Sequence, residues 1–275
     1  MSEIGDAIEH ARRAFADREP TLDLQTLRAA ATAAAAGPPR SLTEVLSADE
    51  LTLIVEPKRA TATRGTINPE LDLAAVAREC EAAGAAAISV VTEPLLSGGS
   101  LDDLRAARGA AALPLLARDF VVDSRQVYEL RAAGADALLL AVRVYVDIDT
   151  DDDHDSVDAP SNTLAAIIRA AHQVGMEVVL SVCDERELEF ALDTDADVLN
   201  IDNRANNGSI DVDRTFELLA DVPVGWPVMS ESIDAIDQVA KLHHAGVDGL
   251  LLDEGHLDTG LTSALAVYAD LSLDA

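Results

Sequence analysis

Short apolar runs alternate with longer stretches of helical periodicity through most of the chain. The apolar runs are rich in Val, Ile, Leu and Ala, which is typical of buried parallel strands. The stretches between them repeat apolar residues every three or four positions, which predicts helices. We predict eight strands, over residues 51–56, 86–91, 114–118, 137–142, 177–182, 198–201, 227–230 and 249–252. We predict helices between them, over residues 72–83, 101–110, 124–133, 161–174, 185–192, 212–220 and 236–245.

Residues 1–47 lie before this alternation and have a helical pattern of their own. The apolar face of a first helix is formed by Ile4, Ala7, Ile8, Ala11 and Phe15. A second helix is predicted over 22–36, where Gly37 and two prolines end it, and a third, short one over 40–46. We therefore expect a helical extension in front of the repeating part.

Three segments of the chain echo one another: AGAAAISV at 83–90, AGADALLL at 133–140 and AGVDGLLL at 245–252. In each, a glycine ends a helix and a strand follows, as a left-handed helix cap in a tight loop requires. A weaker copy without the glycine stands at 195–201. Repeated strand–helix units predict a parallel sheet, and their number favours a closed (β/α)8 TIM barrel over an open doubly wound sheet. We expect one α/β domain over 1–275.

Polar side chains follow the predicted strands where each strand ends. Glu56 ends the first strand and Lys58 comes two residues later, so both side chains leave an extended chain on the same side. Active sites of such barrels lie at the carboxyl ends of the strands. The positions after the other strands are occupied by Arg118, Asp119, Phe120, Ser181, Cys183, Asp202, Asn203, Arg204, Ser230, Glu231, Ser232, Asp253, Glu254 and His256. Interleaved cations and carboxylates predict acid–base chemistry on a small anionic substrate, whereas each residue alone is more typical of a solvated surface.

The charge and the lysine content are both unusual. The formal net charge is −30 at pH 7, which would repel nucleic acid and anionic membranes, so neither is expected as a partner. Lys58 and Lys241 are the two lysines, against eighteen arginines. Scarce lysine, abundant Asp and Ala and few aromatics resemble the proteins of salt-accumulating halophiles. At about 1 M ionic strength the Debye length is roughly 3 Å, which screens self-repulsion.

Cysteine use and hydropathy indicate the compartment. Cys80 and Cys183 are too few for a disulfide framework and lack the spacing of metal ligands. The longest apolar runs fall short of the ~18 residues of a membrane span, and no signal peptide is recognised. We expect a cytoplasmic protein that uses no metal and no cofactor.

An acidic segment, residues 147–160, interrupts the alternation after the fourth strand. It carries seven Asp and one His. A solvated acidic loop is the simpler interpretation. A calcium loop is the alternative, but the segment lacks the central Gly and the terminal Glu of an EF-hand.

Several motifs at the strand ends resemble those of one known enzyme family. LIVEPKRATATRG at 53–65 and PLLARDFVVD at 114–123 resemble EVKRASPSKG and PVLRKDFIID of the indole-3-glycerol-phosphate synthases, (β/α)8 enzymes of tryptophan biosynthesis. IDNRANNGSIDVD at 201–213 is similar to INNRDL…VD, and MSESI at 229–233 is similar to SESGI. The resemblance runs along nearly the whole chain, and the family also has an N-terminal extension that folds over its active site.

The resemblance implies a carboxy-lyase that closes the indole ring of 1-(2-carboxyphenylamino)-1-deoxyribulose 5-phosphate with loss of carbon dioxide and water. That reaction needs a general acid, a base, a cation for the substrate carboxylate and a cradle for the phosphate. The implied catalytic residues are Glu56, Lys58, Arg118 and Glu231. The implied substrate-binding residues are Thr61, Phe120, Asp202, Arg204 and Ser232. A second enzyme of the tryptophan pathway is a further expected partner.

The resemblance also implies departures from the family pattern. Arg118 stands where the family has its general-acid lysine, and Ser181 stands where LSVCD replaces VEVHD and its catalytic glutamate. Asp202 replaces an asparagine. In the phosphate cradle the glycine after SES is lost, so that Ile233 follows directly, and Asp253 replaces the glycine after the eighth strand. Two alternatives therefore stay open beside a divergent synthase. One is a paralogue without turnover that binds a metabolite or a pathway enzyme, and the other is a barrel enzyme retuned to another substrate.

Overall fold

Eight parallel strands close into a barrel in the computed structural model, which describes residues 3–37, 40–62, 64–145, 162–204, 209–233, 238–253 and 260–273. Each strand pairs with the next along the chain, and the eighth pairs with the first, in the register Ile54 to Leu251. The barrel strands are β1 Thr52–Val55, β2 Ala87–Val91, β3 Leu115–Arg118, β4 Ala137–Ala141, β5 Glu177–Val182, β6 Val198–Asp202, β7 Val228–Glu231 and β8 Gly249–Leu252. The predicted (β/α)8 barrel is confirmed, and every predicted strand is present to within one residue at each end.

A helix follows every strand and packs on the outside of the barrel. These helices are α4 Leu73–Ala83, α5 Leu101–Ala110, α6 Ser124–Ala133, α7 Leu164–Gln173, α8 Glu185–Leu192, α9 Asp213–Leu219, α10 Val239–Ala245 and α11 Leu261–Leu273. The prediction placed the start of α7 too early, because the Thr163 side chain caps the helix by accepting a hydrogen bond from the Ala166 N–H at 3.2 Å. The helices predicted from the sequence include none after β8, although α11 packs there against α4.

The glycines of the repeated segments cap three helices as predicted. Gly84, Gly134 and Gly246 have φ angles of 84°, 116° and 109°, in the left-handed region. In the second copy the Gly134 N–H donates to the carbonyls of Leu130 and Arg131, which closes the end of α6. A side chain at Gly134 would also meet Arg108 Cβ at 2.7 Å. The chain can therefore turn straight from each of these helices into the next strand.

The N-terminal extension consists of α1 Glu3–Arg18, α2 Leu24–Ala35 and α3 Leu42–Leu46. Ala7 and Phe15 of the predicted apolar face are buried, and α2 packs along α6. The short helix α3 closes the barrel at the amino ends of the strands. Its Leu42 and Leu46 join a separate apolar cluster with Ile54, Ala87, Leu116, Ala137, Leu139, Val179, Val198, Met229 and Leu251.

One carboxylate holds α3 in place. Glu177, the first residue of β5, accepts hydrogen bonds from both hydroxyls and two backbone N–H groups at the start of α3. Ser41 Oγ and Thr43 Oγ1 lie at 2.6 Å, and the N–H groups of Leu42 and Thr43 at 2.5 Å and 3.2 Å. A negative charge at a helix N-terminus is favourable. With this end closed, the barrel opens toward the carboxyl ends of its strands.

A small hairpin that the sequence did not predict shapes the loop after β1. Residues 60–61 pair with residues 65–66 in antiparallel fashion. Arg59, just before it, donates to both carboxylate oxygens of Asp103, at 2.7 Å and 2.6 Å. These contacts tie the loop that carries Lys58 to α5. Within the described ranges, no helix is both long and apolar enough to cross a membrane.

Candidate active site

A cavity of about 210 Å³ opens at the carboxyl ends of the strands. Of the nine catalytic and substrate-binding residues that the family resemblance implied, eight line it: Lys58, Thr61, Arg118, Phe120, Asp202, Arg204, Glu231 and Ser232. The ninth, Glu56, is fully buried beneath Lys58 and Arg118. Side chains from β1, β3, β6 and β7 thus meet at one mouth, as the barrel topology requires.

Glu56 and Lys58 are in direct contact, as their spacing on an extended chain suggested. Lys58 Nζ lies 2.7 Å from Glu56 Oε1, and the Lys58 side chain is 15% exposed, toward the cavity. Ser89 of β2 donates its hydroxyl proton to Glu56 Oε2 at 2.5 Å. Burial would raise the pKa of Glu56. The charges of Arg118 and Lys58, with the hydrogen bonds of Lys58 and Ser89, outweigh burial and hold that pKa below its ordinary value.

Arg118 bridges the two carboxylates. Its Nη1 donates to Glu56 Oε1 at 3.2 Å and to Glu231 Oε2 at 2.5 Å, and its Nη2 donates to Glu231 Oε1 at 3.1 Å. Burial opposes the positive charge, but the carboxylates of Glu231 and Glu56 outweigh it and raise the Arg118 pKa well above its ordinary value. Arg118 is therefore a permanent cation that cannot serve as a proton donor.

Glu231 ends β7 in a different environment from Glu56. Burial, with the negative charges of Asp202 and Glu56 adding to it, raises the pKa of Glu231 above the ordinary glutamate value despite the Arg118 guanidinium. Ser181 Oγ lies 3.3 Å from Glu231 Oε1, and Asn200 Nδ2 lies 2.9 Å from the same oxygen. The two glutamates thus have pKa values moved in opposite directions, an arrangement that assigns different tasks to two like groups.

Asp202 and Ser232 form a second polar group at the ends of β6 and β7. The Ser232 hydroxyl donates to Asp202 Oδ1 at 3.0 Å, and the Arg204 N–H donates to the same oxygen at 2.9 Å. Arg204 Nη2 lies 3.7 Å from Asp253 Oδ2. Ser232 has a φ of 57°, the one positive value found for a residue other than glycine in the described ranges. A strained backbone conformation such as that of Ser232 is often found at ligand sites.

Phe120, Thr61 and Asp119 also line the cavity. The buried Asp119 carboxylate accepts from Thr92 Oγ1 at 2.7 Å and from the Phe120 N–H at 2.7 Å. Burial raises the pKa of Asp119 to about 6. Thr61 Oγ1 accepts from the Arg64 N–H at 3.1 Å, which orders the loop rim.

Arg143 and Asn200 are residues of the site that the sequence analysis missed. Arg143 follows β4 and lines the cavity, with Nη2 3.7 Å from Asp202 Oδ2 and Nε 3.6 Å from Glu187 Oε1. Its position, the first charged residue after a strand, was a signal of the same kind as the others. Asn200 lies inside β6 and is fully buried. A polar residue in an otherwise apolar strand was a signal as well, because a buried amide needs partners.

Acidic, histidine and cysteine residues near the strand ends are candidates for metal ligands. Glu254, His256 and the acidic segment 147–160 lie outside the described residues. Among the described residues, Cys183, Asp184 and Glu187 bring ligand atoms within 4.8 Å of one another. Glu187, however, accepts from the Cys183 N–H and lies against Arg143, and burial raises the pKa of the Cys183 thiol to about 12. A protonated thiol beside a guanidinium is a poor cation site.

Comparisons with known proteins agree along nearly the whole chain. A protein-family model described as indole-3-glycerol phosphate synthase matches residues 6–259. Indole-3-glycerol phosphate synthase 1 of Streptomyces coelicolor is 33% identical over 270 residues, which cover 97% of this chain and 94% of that protein. Indole-3-glycerol phosphate synthase 2 of the same organism is 37% identical over 224 residues, 81% of each chain. The indole-3-glycerol phosphate synthase of a Nocardioides species is 36% identical over 262 residues, 94% of this chain and 95% of that one.

Solved structures share the fold. The 3-hexulose-6-phosphate synthase of Salmonella typhimurium superposes with a TM-score of 0.61 at 17% identity, over 82% of this chain and 99% of that one. The N-(5'-phosphoribosyl)anthranilate isomerase of Pyrococcus furiosus gives a TM-score of 0.55 at 11% identity, over 82% of this chain and all of the other. At these identities the likeness concerns the barrel alone.

Proposed function

The chain belongs to the indole-3-glycerol phosphate synthase family, and we propose that it is the carboxy-lyase that closes the indole ring in tryptophan biosynthesis. Its substrate is then 1-(2-carboxyphenylamino)-1-deoxyribulose 5-phosphate, and its products are indole-3-glycerol phosphate, carbon dioxide and water. The observation that carries this proposal is the cavity at the barrel mouth, where one ammonium, several guanidinium groups and Glu231 converge above the buried Glu56.

Lys58 is the proposed general acid for the ring closure. An ammonium can give up a proton to the substrate carbonyl oxygen, whereas a guanidinium keeps its proton. Lys58 is the one lysine among the described residues that line the cavity. Its contact with Glu56 at 2.7 Å fixes the position of Nζ, and the lowered pKa of Glu56 keeps that partner ionised near neutral pH.

Glu231 is the proposed base for the later proton removal. A base is most effective when its pKa lies near the working pH, and burial moves the pKa of Glu231 upward in that direction. Glu56 has the opposite shift and suits an electrostatic role beside Lys58.

The remaining cavity residues are proposed to bind the substrate. Arg118 and Arg204 attract its anionic groups, while Phe120 packs against its ring. Thr61, Asp202 and Ser232 present hydroxyl and carboxylate oxygens for its sugar hydroxyls.

We propose that Arg118 and Ser181 replace the general-acid lysine and the catalytic glutamate of the family. One positioned acid or base contributes about 10²–10⁴-fold to a rate. Loss of two such groups would lower the rate by several orders of magnitude unless Lys58 and Glu231 take over both tasks. The arrangement supports such a transfer, because Arg118 holds Glu231 directly and Ser181 lies 3.3 Å from it.

One observation favours a second candidate, an enzyme retuned to a substrate with fewer negative charges. Asp253 places a carboxylate in the cavity and lies 3.7 Å from Arg204. An anion at this place opposes a phosphate group and competes with it for Arg204.

Location, salt response and partners complete the proposal. The thiols of Cys80 and Cys183 are both free, a state that a reducing cytoplasm preserves. The charge of −30 fits a protein adapted to high salt. A partner enzyme from the tryptophan pathway stays a prediction without a surface assigned to it.

The test is a direct assay in molar KCl with the carboxyphenylamino substrate, following the fluorescence of indole-3-glycerol phosphate. Binding of a reduced, unreactive substrate analogue is measured in parallel. Turnover supports the synthase. Analogue binding without turnover favours a binding paralogue, and Arg118→Lys combined with Ser181→Glu should then restore activity. If the protein shows neither turnover nor analogue binding, the proposal is overturned. Binding of an unphosphorylated analogue instead identifies the retuned enzyme.

A further inference from the structure

Asn200 lies in the middle of β6 and is fully buried between the two neighbouring strands. In the sheet register it stands beside Ser181 of β5 on one side and Met229 of β7 on the other. Its Nδ2 donates to Ser181 Oγ at 3.0 Å and to Glu231 Oε1 at 2.9 Å. The amide therefore connects two side chains at the base of the cavity.

The carbonyl oxygen of the Asn200 amide has no hydrogen-bond donor among the described residues. Asn200 Oδ1 is buried and accepts no hydrogen bond from any residue that the structure describes. Buried polar atoms in folded proteins almost always have a partner, so an orphan beside an ionisable group indicates a second arrangement in which it is used. A half turn of the amide about its last torsion would exchange Nδ2 and Oδ1 and bring Oδ1 to Glu231 Oε1.

The two arrangements match the two protonation states of Glu231. An ionised carboxylate only accepts hydrogen bonds, whereas a carboxylic acid donates one, and an amide offers both a donor and an acceptor. Resting on the proposed role of Glu231 as the base, we propose that Asn200 is a positioning residue that serves both states of Glu231. Nδ2 donates to Oε1 of the carboxylate, and Oδ1 accepts from the Oε1–H of the acid.

Proton removal by Glu231 balances as follows. The proton leaves the substrate and bonds to Glu231 Oε1, while the electron pair of the broken bond stays on the substrate. Glu231 becomes neutral, the amide turns over, and the acid proton is held at the same place until it is passed on to solvent or to the departing hydroxyl group.

Neither the guanidinium groups nor the other carboxylates around Glu231 can serve both of its states. Arg118 only donates, Arg143 contributes positive charge from the end of β4, and the carboxylates of Glu56 and Asp202 contribute negative charge. The Ser181 hydroxyl could reverse its direction, but it lies farther away, at 3.3 Å, and accepts from Asn200 Nδ2 itself. The amide is therefore the partner that decides how easily Glu231 changes state.

The experiment measures the pH at which Glu231 ionises in the free protein. Isotope-edited infrared spectroscopy of ¹³C-labelled glutamate carboxylates gives this pH, with Glu231→Gln to assign the band, and the pH profile of kcat is recorded beside it. Asn200→Ala removes a charge-assisted hydrogen bond to the carboxylate and a weaker, neutral one to the acid, so we expect ionisation to move up by about one pH unit. The acid limb of kcat should move by the same amount, with roughly tenfold lower activity below the limb.

A second variant and a control separate this effect from loss of structure. Asn200→Asp keeps the size but places a like charge against Glu231, so ionisation should move up further than in Asn200→Ala. Asn203 is equally buried and donates to Ser230 Oγ at 3.0 Å and to the Glu231 backbone carbonyl at 2.9 Å. Asn203→Ala should lower the melting temperature without moving the ionisation of Glu231.

The outcomes are distinct from those of the proposed function. An unchanged ionisation pH in both Asn200 variants, or an equal shift in Asn203→Ala, overturns the positioning role even if the wild type turns over. A shifted ionisation pH in a protein that shows no turnover supports the positioning role and rejects the synthase.

Discussion

The Arg118 guanidinium binds the Glu231 carboxylate through two parallel hydrogen bonds, Nη1 to Oε2 at 2.5 Å and Nη2 to Oε1 at 3.1 Å. The same Nη1 also reaches Glu56 at 3.2 Å. A bidentate pair of this kind fixes both partners in one geometry. Both glutamates are buried, and the positive charge of Arg118 allows both of them to be ionised.

Arg118→Met should therefore be strongly destabilising near neutral pH. Removing one partner of a buried ion pair costs about 3–5 kcal/mol, and we expect the lower end because the Arg118 side chain is 27% exposed. The loss should be smaller at pH 5 than at pH 8, since Glu56 keeps Lys58 as a partner and protonation of Glu231 removes the charge that has lost its guanidinium. Urea unfolding at the two pH values measures it, with Arg118→Lys as the variant that keeps the charge. Equal losses at both pH values would contradict this account.

Glu177→Ala should loosen α3 from the amino end of the barrel. Glu177 accepts four hydrogen bonds from residues 41–43, and bonds to a charged acceptor contribute about 1.5–3 kcal/mol each, not additively. We expect a loss of about 2–4 kcal/mol in the free energy of unfolding and faster hydrogen exchange in α3. Glu189→Ala, at an exposed position, is the matched control and should change stability by less than about 0.5 kcal/mol. A similar loss in the two variants would show that α3 is held by its apolar contacts alone.

The barrel could be predicted from the sequence because its local signals agree with one another. Apolar runs, helical periodicity and glycine caps such as Gly134 each predict the same alternation of strands and helices. The ends of the strands could therefore be predicted to within one residue. The ring of charged residues followed from topology as well, since parallel strands in a barrel end at one mouth.

Side-chain contacts between different strands could not be predicted from the sequence. The bridge from Arg118 to Glu56 and Glu231 depends on side chains 62 and 113 residues away in the chain. Asn200 was overlooked because its partners, Ser181 and Glu231, lie on the two neighbouring strands. The hairpin after β1 was missed because its two-residue strands are too short to have a period.

Asp119→Asn should stabilise the protein above pH 6. The folded pKa of about 6 is higher than the ordinary aspartate value of 3.8, so the folded state holds the proton more tightly than the unfolded chain. As the pH rises from 4 through 6, the wild type therefore loses stability, by on the order of 3 kcal/mol at most, whereas the amide of the variant does not titrate. An amide can still accept from the Phe120 N–H and meet the Thr92 hydroxyl.

The difference in unfolding free energy between Asp119→Asn and wild type, measured from pH 4.5 to 8, tests this prediction. It should grow with pH and level off above about pH 7. A difference that is constant with pH would mean that Asp119 titrates at an ordinary pKa.

Salt should stabilise this protein at neutral pH because its formal charge is −30. At 2 M KCl the Debye length is below about 3 Å, so repulsion among surface carboxylates is screened. We expect the melting temperature to rise by at least about 5 °C between 0.1 M and 2 M KCl at pH 7. The same series at pH 4.5 is the control, because many carboxylates are then neutral and the rise should shrink. A rise of equal size at both pH values would point to general salt exclusion from the protein surface instead of charge screening.

Lys58→Met should abolish most of the turnover while leaving the fold intact. Lys58 Nζ faces the cavity and is held 2.7 Å from Glu56, so its loss removes the proposed proton donor, a contribution of about 10²–10⁴-fold in kcat. Lys58→Arg keeps the positive charge but not the ability to release a proton. It should therefore bind the analogue better than Lys58→Met does, while its kcat stays low. The only other lysine of the chain supplies the control, since Lys241 is exposed on α10 and Lys241→Met should have wild-type kinetics. Steady-state kinetics across pH and analogue binding distinguish the two roles. If Lys58→Arg recovers kcat as well as binding, then Lys58 acts through its charge and another group donates the proton.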